Sequence, residues 1–323
     1  MSIAISVVVP TYKRTQLLVR CLKALLQQRF EKDRYEIIVV SDGPDDDTQR
    51  IFNGFAGYEY PALRYLQLPS KKGPAVARNY GWLNAKGAII AFTDDDCVPD
   101  IHWLEQVYKH LKDQEYAAIT GKVIVPVNKR PTDFEKNTAG LQFADFITAN
   151  CACTKAALVK TGGFDENFSM AWREDSDLEF KLIANNIPVT RVDTAIVTHP
   201  VRHATWGVSI REQKKTMFNA LLYKKYPRLY RQKIQSAPPV LYYGIITAAV
   251  MMLVGALLTN TPMVLAGAAI WLGLTLYFIC KRLQTTSLAP AHIAEMVITS
   301  VVIPFASIYW QWYGAVKYRV LFI

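Results

Sequence analysis

Three consecutive carboxylates, Asp94-Asp95-Asp96, follow an apolar run from Gly87 to Phe92. A short apolar run bounded by polar turns reads as a buried strand. Three acids at its end repel one another and resist desolvation, so they call for a compensating cation. Hard divalent ions such as Mg²⁺ or Mn²⁺ take carboxylate oxygens and share them with substrate phosphates. Asp94-x-Asp96 is therefore a candidate metal–diphosphate site. Taken alone, the triplet reads more readily as a solvated acidic turn. A second acidic group, Glu174-Asp175-Ser176-Asp177, opens a predicted helix running to about Asn185. Acids in a first helical turn also suit the helix dipole, so these residues by themselves leave capping and catalysis open.

The elements that must carry these groups alternate. Ile3–Val9, Tyr35–Val40, Leu63–Leu68 and Ala88–Phe92 read as strands, with helices over about 16–28, from about 45 and over 75–85. This alternation predicts an α/β fold with a mostly parallel sheet covered on both faces. Ligands in such sheets sit beyond the carboxyl ends of the strands. Tyr12, Asp42 and Asp94–Asp96 all fall there. Beyond them the reading gives a helix over 102–111, a strand over 117–127, a polar proline-containing loop over 126–136 and an extended stretch over 143–154. A short helix over 155–160 follows, then two short strands over 189–192 and 195–198. Cys151 and Cys153, at period-two spacing, share one strand face.

From Pro239 the composition changes. Val240–Leu258 and Pro262–Cys280 are uncharged and close to the ~20 residues that cross a bilayer. Lys224, Lys225, Arg228, Arg231 and Lys233 precede the pair, and Lys281 and Arg282 follow it. By the positive-inside rule this predicts a transmembrane hairpin with both outer ends in the cytoplasm. A third run, about 293–314, carries Glu295, Pro304 and several aromatics and is followed by Lys317 and Arg319. It reads as a kinked, re-entrant or interfacial helix in preference to a third span. The expected domains are 1–215, a basic juxtamembrane linker 216–238, and a membrane region 239–323.

Composition narrows the partners. The 323-residue chain carries a formal net charge of +10 and is 51% hydrophobic. No helix-turn-helix, zinc-finger or RNA-binding signature accompanies that charge, so a membrane surface and a nucleotide fit better than nucleic acid. The five cysteines are scattered and odd in number, which argues against a disulfide framework and fits a reducing compartment. Met1–Pro10 lacks a basic n-region and is too short for a signal peptide, so the N-terminal part is expected in the cytoplasm.

Residues 1 to about 210 resemble an inverting glycosyltransferase of family two with the GT-A fold. The resemblance rests on Val9-Pro10-Thr11-Tyr12-Lys13-Arg14, Ser41-Asp42-Gly43, Lys72-Gly73 with Ala77-Arg78-Asn79 and Gly81, Asp94-Asp95-Asp96 with Pro99 and Trp103-Leu104, and Gly162-Gly163-Phe164-Asp165-Glu166 followed by Glu174-Asp175. It implies a nucleotide-sugar donor bound by Pro10, Tyr12, Arg14, Asp42, Arg78, Asp94 and Asp95. Arg78 would meet the diphosphate or hold Asp94. It also implies a metal, Mg²⁺ or Mn²⁺, held by Asp96, with His199 as a further ligand and His203 as its competitor. Asp175 would be the catalytic base, and Asn150, Trp172 and Glu174 would line the acceptor side. The stretch Trp206–Lys215 lacks the Gln-x-x-Arg-Trp motif of processive relatives, so single-sugar addition is expected. The resemblance and the membrane segments together imply a lipid-linked or amphiphilic acceptor, a place in cell-envelope polysaccharide or glycolipid synthesis, and a catalytic domain on the cytoplasmic face of the inner membrane. The alternatives are a polyprenyl-phosphate glycosyltransferase and a non-catalytic sugar-nucleotide-binding partner of an assembly complex.

Overall fold

The computed structural model describes residues 2–55, 57 and 61–322. The remaining six, which fall within the expected ranges 1–215 and 239–323, lie outside the described residues. The first half of the chain runs β1 (Ile5–Thr11), α1 (Thr15–Leu26), β2 (Tyr35–Ser41), α2 (Asp46–Asn53), β3 (Ala62–Gln67), α3 (Pro74–Leu83), β4 (Ile89–Phe92), β5 (Val98–Pro99), α4 (Trp103–Leu111), β6 (Ala118–Ile124) and α5 (Asp133–Ala139). It continues through β7 (Cys151–Thr154), α6 (Lys155–Thr161), α7 (Glu174–Ala184) and β8 (Val189–Thr198). Then come α8 (Val208–Glu212), α9 (Met217–Lys225), α10 (Pro227–Lys233), α11 (Val240–Leu257), α12 (Thr261–Leu283) and α13 (Pro290–Tyr318).

The eight strands form one mixed sheet in the order β3-β2-β1-β4-β7-β6-β8-β5. The β3-β2-β1-β4 half is parallel. The other half alternates: β4–β7, β6–β7 and β5–β8 are antiparallel, and β6–β8 is parallel. The expected mostly parallel sheet thus holds strictly for one half only. The reversal comes at β7, which pairs antiparallel with both β4 and β6.

Both faces of the central strands are buried, as their unbroken apolar runs require. Val7, Val9, Ile37, Val39 and Ala91 pack on one side with Leu18 and Leu22 of α1 and Trp103, Leu104 and Val107 of α4. Val8, Ile38, Val40, Ile90 and Phe92 pack on the other with Ala77 and Trp82 of α3, Leu158 of α6 and Leu178 and Leu182 of α7. Cys151 and Cys153 share this second face, as their spacing predicts.

Four local expectations are corrected. The stretch 126–136 is not all loop, because Thr132 and Glu135 close a reciprocal capping box that starts α5. The Thr-x-x-Glu signature was present in the sequence. The stretch 143–154 is extended only over β7, since its earlier part forms two 3₁₀ turns, Gly140–Phe143 and Thr148–Asn150. The two short strands over 189–198 are one, β8, whose pairing with β6 shifts register between Gly121 and Lys122. Finally, the chain divides into one unit of residues up to Pro126 plus Ala139–Val201, and a second of Val127–Thr138 plus Arg202–Ile323. The boundary falls near 201 and not 215, because the segment from Gly207 onward packs along α13.

The second unit contains α11, α12 and α13, each long and apolar enough to cross a membrane. The close approach of α11 and α12 depends on glycine. A Cβ on Gly267 would meet Met252 and the Ala248 carbonyl, and one on Gly255 would meet Met263 and Val264. Asn260 caps α12 by accepting from the Met263 N–H at 3.0 Å. Arg282, one of the two cations that follow the second apolar run, is buried at the end of α12. It donates to Asp133, Thr299, Ser300 and Ser209, which ties α5 and α13 to the α11–α12 pair.

Candidate active site

Four strand ends supply the site. β4 ends in Thr93, whose hydroxyl donates to the Ala149 carbonyl at 3.0 Å and fixes the start of the acidic turn. The three acids then diverge. Asp94 accepts from Arg78 Nη2 at 2.7 Å. Asp95 is buried and turns back toward β1, where Thr11 Oγ1 donates to it at 2.7 Å and Arg14 at 3.3 Å. Burial pushes the Asp95 carboxyl up to about 6, against the opposing charge of Arg14. Both oxygens of Asp95 are thus engaged in fastening the acidic turn to β1, while the Arg14 side chain stays partly exposed. Asp96 faces His199, whose Nε2 lies 3.5 Å from its Oδ1.

β5 explains how His199 arrives there. Val98 and Pro99 pair antiparallel with Thr198 and Val197, which sets the residues just after β8 opposite the acidic turn. The backbone N–H of His199 donates to the Ile124 carbonyl at 2.8 Å. One ligand atom each of Asp94, Asp96, Cys97 and His199 lies within 4.8 Å of the others. Burial, then the neighbouring acids, raise the Cys97 thiol well above its ordinary value. The remaining donors, two carboxylates and an imidazole, suit Mn²⁺ or Mg²⁺ better than a thiophilic ion. His203 belongs to the second unit and is exposed.

Tyr12 and Asp42, expected at the donor, follow directly on the paired strands β1 and β2. Asp42 accepts from the backbone N–H groups of Lys72 and Gly73 at 2.7 and 3.0 Å. This holds the 71–73 turn against β2. Gly73 has φ +106°, and a Cβ there would run into the Ser169 backbone, so glycine is required. Lys71 Nζ sits 4.4 Å from the centroid of the Tyr12 ring. That cation–π contact orients Tyr12 and had no signal in the sequence beyond Lys71 adjoining the Lys72-Gly73 pair. Pro10 lies at the end of β1, in register with Val40.

The acceptor side is organised by α3 and α7. Arg78 is buried and donates from Nη2 to Asp94 and from Nη1 to Glu174, the latter at 3.2 Å. Burial opposes its charge, but the two carboxylates outweigh this and raise its pKa. Burial, then the Asp175 charge, push Glu174 up to about 7. Burial also raises Asp175, opposed by its hydrogen bond from the Ser176 N–H and by Arg173 and Arg78. Asp175 is only partly buried and Glu174 is fully so, which leaves Asp175 the accessible member of the pair. Glu174, expected on the acceptor side, reaches Arg78 instead. Trp172 is half-buried, with the Arg173 guanidinium 4.6 Å from its ring centroid.

Asn79, next to Arg78, does a parallel job. It donates to the Phe164 carbonyl and to Glu166, and accepts from the Phe164 N–H. Consecutive residues of α3 therefore hold the acidic turn, the start of α7 and the Gly162–Glu166 loop. This explains why motifs so far apart in sequence occur together.

Asn150 is the clearest correction. It is 1% exposed, and its Oδ1 accepts from Trp103 Nε1 at 2.8 Å. Its Nδ2 donates to the Lys122 and Ala195 carbonyls. Its amide is thus committed to pinning the β6–β8 irregularity, and no polar atom is left for an acceptor. Asn150→Ala is expected to cost about 2–3 kcal/mol, because the buried Trp103 and Ala195 and the Lys122 carbonyl lose their hydrogen bonds. The check is thermal unfolding, together with an acceptor KM unchanged in the folded fraction.

Residues 6–168 match the family described as Glycosyl transferase family 2, half of the chain. The protein therefore belongs to that family. Among curated relatives it is 37% identical over 102 residues to glycosyltransferase AglE of Haloferax volcanii, covering 32% of this chain and 33% of that one. It is 26% identical over 231 residues to the probable glycosyltransferase YdaM of Bacillus subtilis, covering 65% and 54%. The matches thus span between a third and about half of these relatives' lengths. Among solved structures it is similar to the mannosyltransferase PcManGT of Pyrobaculum calidifontis in complex with GDP-Man and Mn²⁺. The TM-score is 0.57 at 20% identity, over 99% of this chain and 88% of that one. At this identity the likeness shows a shared GT-A-like fold.

Proposed function

We propose that this protein is a membrane-anchored, non-processive inverting glycosyltransferase that moves one sugar from a nucleotide-sugar donor to the hydroxyl of a lipid-linked or amphiphilic acceptor. The observation that carries this reading is the bridge of Asp94 and Glu174 by one buried guanidinium. It sets an acidic, histidine-flanked turn and an accessible carboxylate, Asp175, on either side of Arg78. The GDP-Man and Mn²⁺ bound by the structurally similar mannosyltransferase support the donor class and the metal.

In this scheme the Tyr12 ring and Asp42 hold the nucleoside. Asp94, Asp96 and His199 would hold the divalent ion, which supplies Lewis-acid neutralisation of the leaving diphosphate. Asp175 removes the proton from the acceptor hydroxyl as that oxygen attacks the anomeric carbon opposite the leaving group. The bond from carbon to diphosphate oxygen breaks and the configuration inverts. The α11–α12 pair would anchor the chain as a hairpin. The cations of α9 and α10 would lie at the headgroups of the cytoplasmic leaflet of the inner membrane, where anionic lipid attracts them.

The test is a donor panel. Purified protein with Mn²⁺ or Mg²⁺ is given UDP-, GDP- and dTDP-sugars, and nucleoside diphosphate release is measured beside Asp96→Asn. Release from one donor, lost in Asp96→Asn together with Mn²⁺ binding by calorimetry, is expected. A product with the donor's own anomeric configuration would refute inversion.

A further inference from the structure

We infer that α13 does not cross the bilayer but lies along its surface, with its apolar face against the acyl chains, so that the partner of this face is lipid at one leaflet. The inference rests on the membrane reading above and concerns the second unit alone. Three observations carry it.

First, α13 has 29 residues, about 43 Å at 1.5 Å per residue, against a hydrocarbon core of ~30 Å. Its faces are inverted relative to a soluble helix. His292, Thr299, Ser300, Ser307 and Gln311 face the protein, whereas Ile298, Val302, Phe305, Tyr309, Trp312 and Val316 are exposed. That exposed stripe runs along one side of the helix from Ile298 to Val316.

Second, the helix is accompanied by a charged segment. The Gly207 N–H donates to Glu295, Lys214 lies over Trp310, and a Cβ on Gly314 would run into the Met217 backbone. Lys224 donates to the Tyr318 carbonyl at 2.9 Å. Residues 207–225 thus run parallel to 295–318. If α13 stood upright, the segment beside 295–314 would carry Arg211, Glu212, Lys214 and Lys215 into the hydrocarbon, where charges are strongly excluded. Lying flat, they stay in water.

Third, the polar contacts of α13 with the α11–α12 pair lie at the base of that pair, and between them Ile303 packs with Ile245 and Phe278. Arg282, at the end of α12, reaches Thr299 and Ser300. Tyr243, at the start of α11, accepts from Trp312 Nε1 at 3.3 Å. Thr299 and Trp312 are about 20 Å apart along α13, yet both meet the same end of the hairpin. A helix running beside the hairpin would meet deeper residues at one of these points; α13 instead passes across its base. The exposed tyrosines and tryptophans then sit where such rings concentrate, at the interface.

The experiment uses the full chain in sealed vesicles, with Cys280→Ser as background and one added cysteine at an exposed position: Asn260→Cys, Leu288→Cys or Leu321→Cys. A membrane-impermeant maleimide is expected to label 288 and 321 from one side and 260 from the other. Labelling of 321 from the side of 260 overturns the inference. Labelling of 260 from the side of 288, with extraction of the protein by alkaline carbonate, overturns the membrane reading itself and this inference with it. Nitroxides at Ile298, Phe305 and Trp312 give an independent readout. Equal, shallow depths are expected, and a deepest position at 305 overturns the inference.

Discussion

Asp175→Asn is expected to lower kcat by about 10³-fold while leaving donor binding within a factor of two, because a positioned base contributes typically 10²–10⁴. The substitution keeps the size of the side chain and removes only its ability to take a proton. Sugar transfer at saturating donor, with donor affinity measured separately, checks this. A small loss would instead favour an acceptor that is already anionic, since a phosphate oxygen needs little help from a base. The pH profile carries a second signature. Burial raises the Asp175 carboxyl, so the rate rises with pH through a value above the ordinary one for aspartate. Glu174 stays protonated until about 7 because burial and the Asp175 charge both raise it, so it is neutral while Asp175 ionises. Stability follows the same sign. Glu174 is pushed from an ordinary 4.5 to about 7, so the folded protein holds a proton that the unfolded chain has released. That contribution is present below about 4.5 and lost as pH rises through 7. Glu174→Gln should flatten the decline.

Arg78→Met should be the most damaging single change to the catalytic unit. Arg78 is buried between Asp94 at 2.7 Å and Glu174 at 3.2 Å. Removing one partner of a buried charge group costs about 3–5 kcal/mol, because the others stay buried without compensation. For a unit of this size that corresponds to a fall in Tm on the order of 10 °C. Arg78→Lys should recover less than half, since an ammonium lacks the planar fork that reaches two carboxylates at once. Adding Glu174→Gln to Arg78→Met should restore part of the loss, because one stranded charge disappears; strict additivity would contradict the bridge. Thermal unfolding in detergent gives all three comparisons.

Much of this protein was legible in one dimension. The strands β1, β2 and β4 declare themselves because burial on both faces forces unbroken apolar runs. The sites at their carboxyl ends follow from the way a parallel sheet is built, so Tyr12, Asp42 and Asp94–Asp96 could be gathered before any coordinate was known. The hairpin α11–α12 is equally local, since hydrocarbon tolerates few charges over about 20 residues. What the sequence by itself determined, then, was whatever one element's own environment dictates: periodicity, caps, apolar length and motif identity.

Only the tertiary structure decided how side chains are shared between elements. Three adjacent aspartates have identical chemistry, and nothing along the chain says that Asp95 turns to Thr11 while Asp94 takes Arg78 and Asp96 faces His199. Asn150 looks like a ligand until its three partners, from β6, β8 and α4, are seen to consume it. Glu174 and Asp175 are neighbours of nearly equal type, and the buried Arg78, 96 residues from Glu174, makes one an anchor and leaves the other accessible. The lie of α13 is of the same kind. Its composition alone allows a span or a surface helix, and the choice falls to the charged segment 207–225 packed beside it. Hydrogen bonds and charges satisfy one another through space, so which polar group is spent on the fold and which is left for chemistry is settled only once the chain has closed on itself.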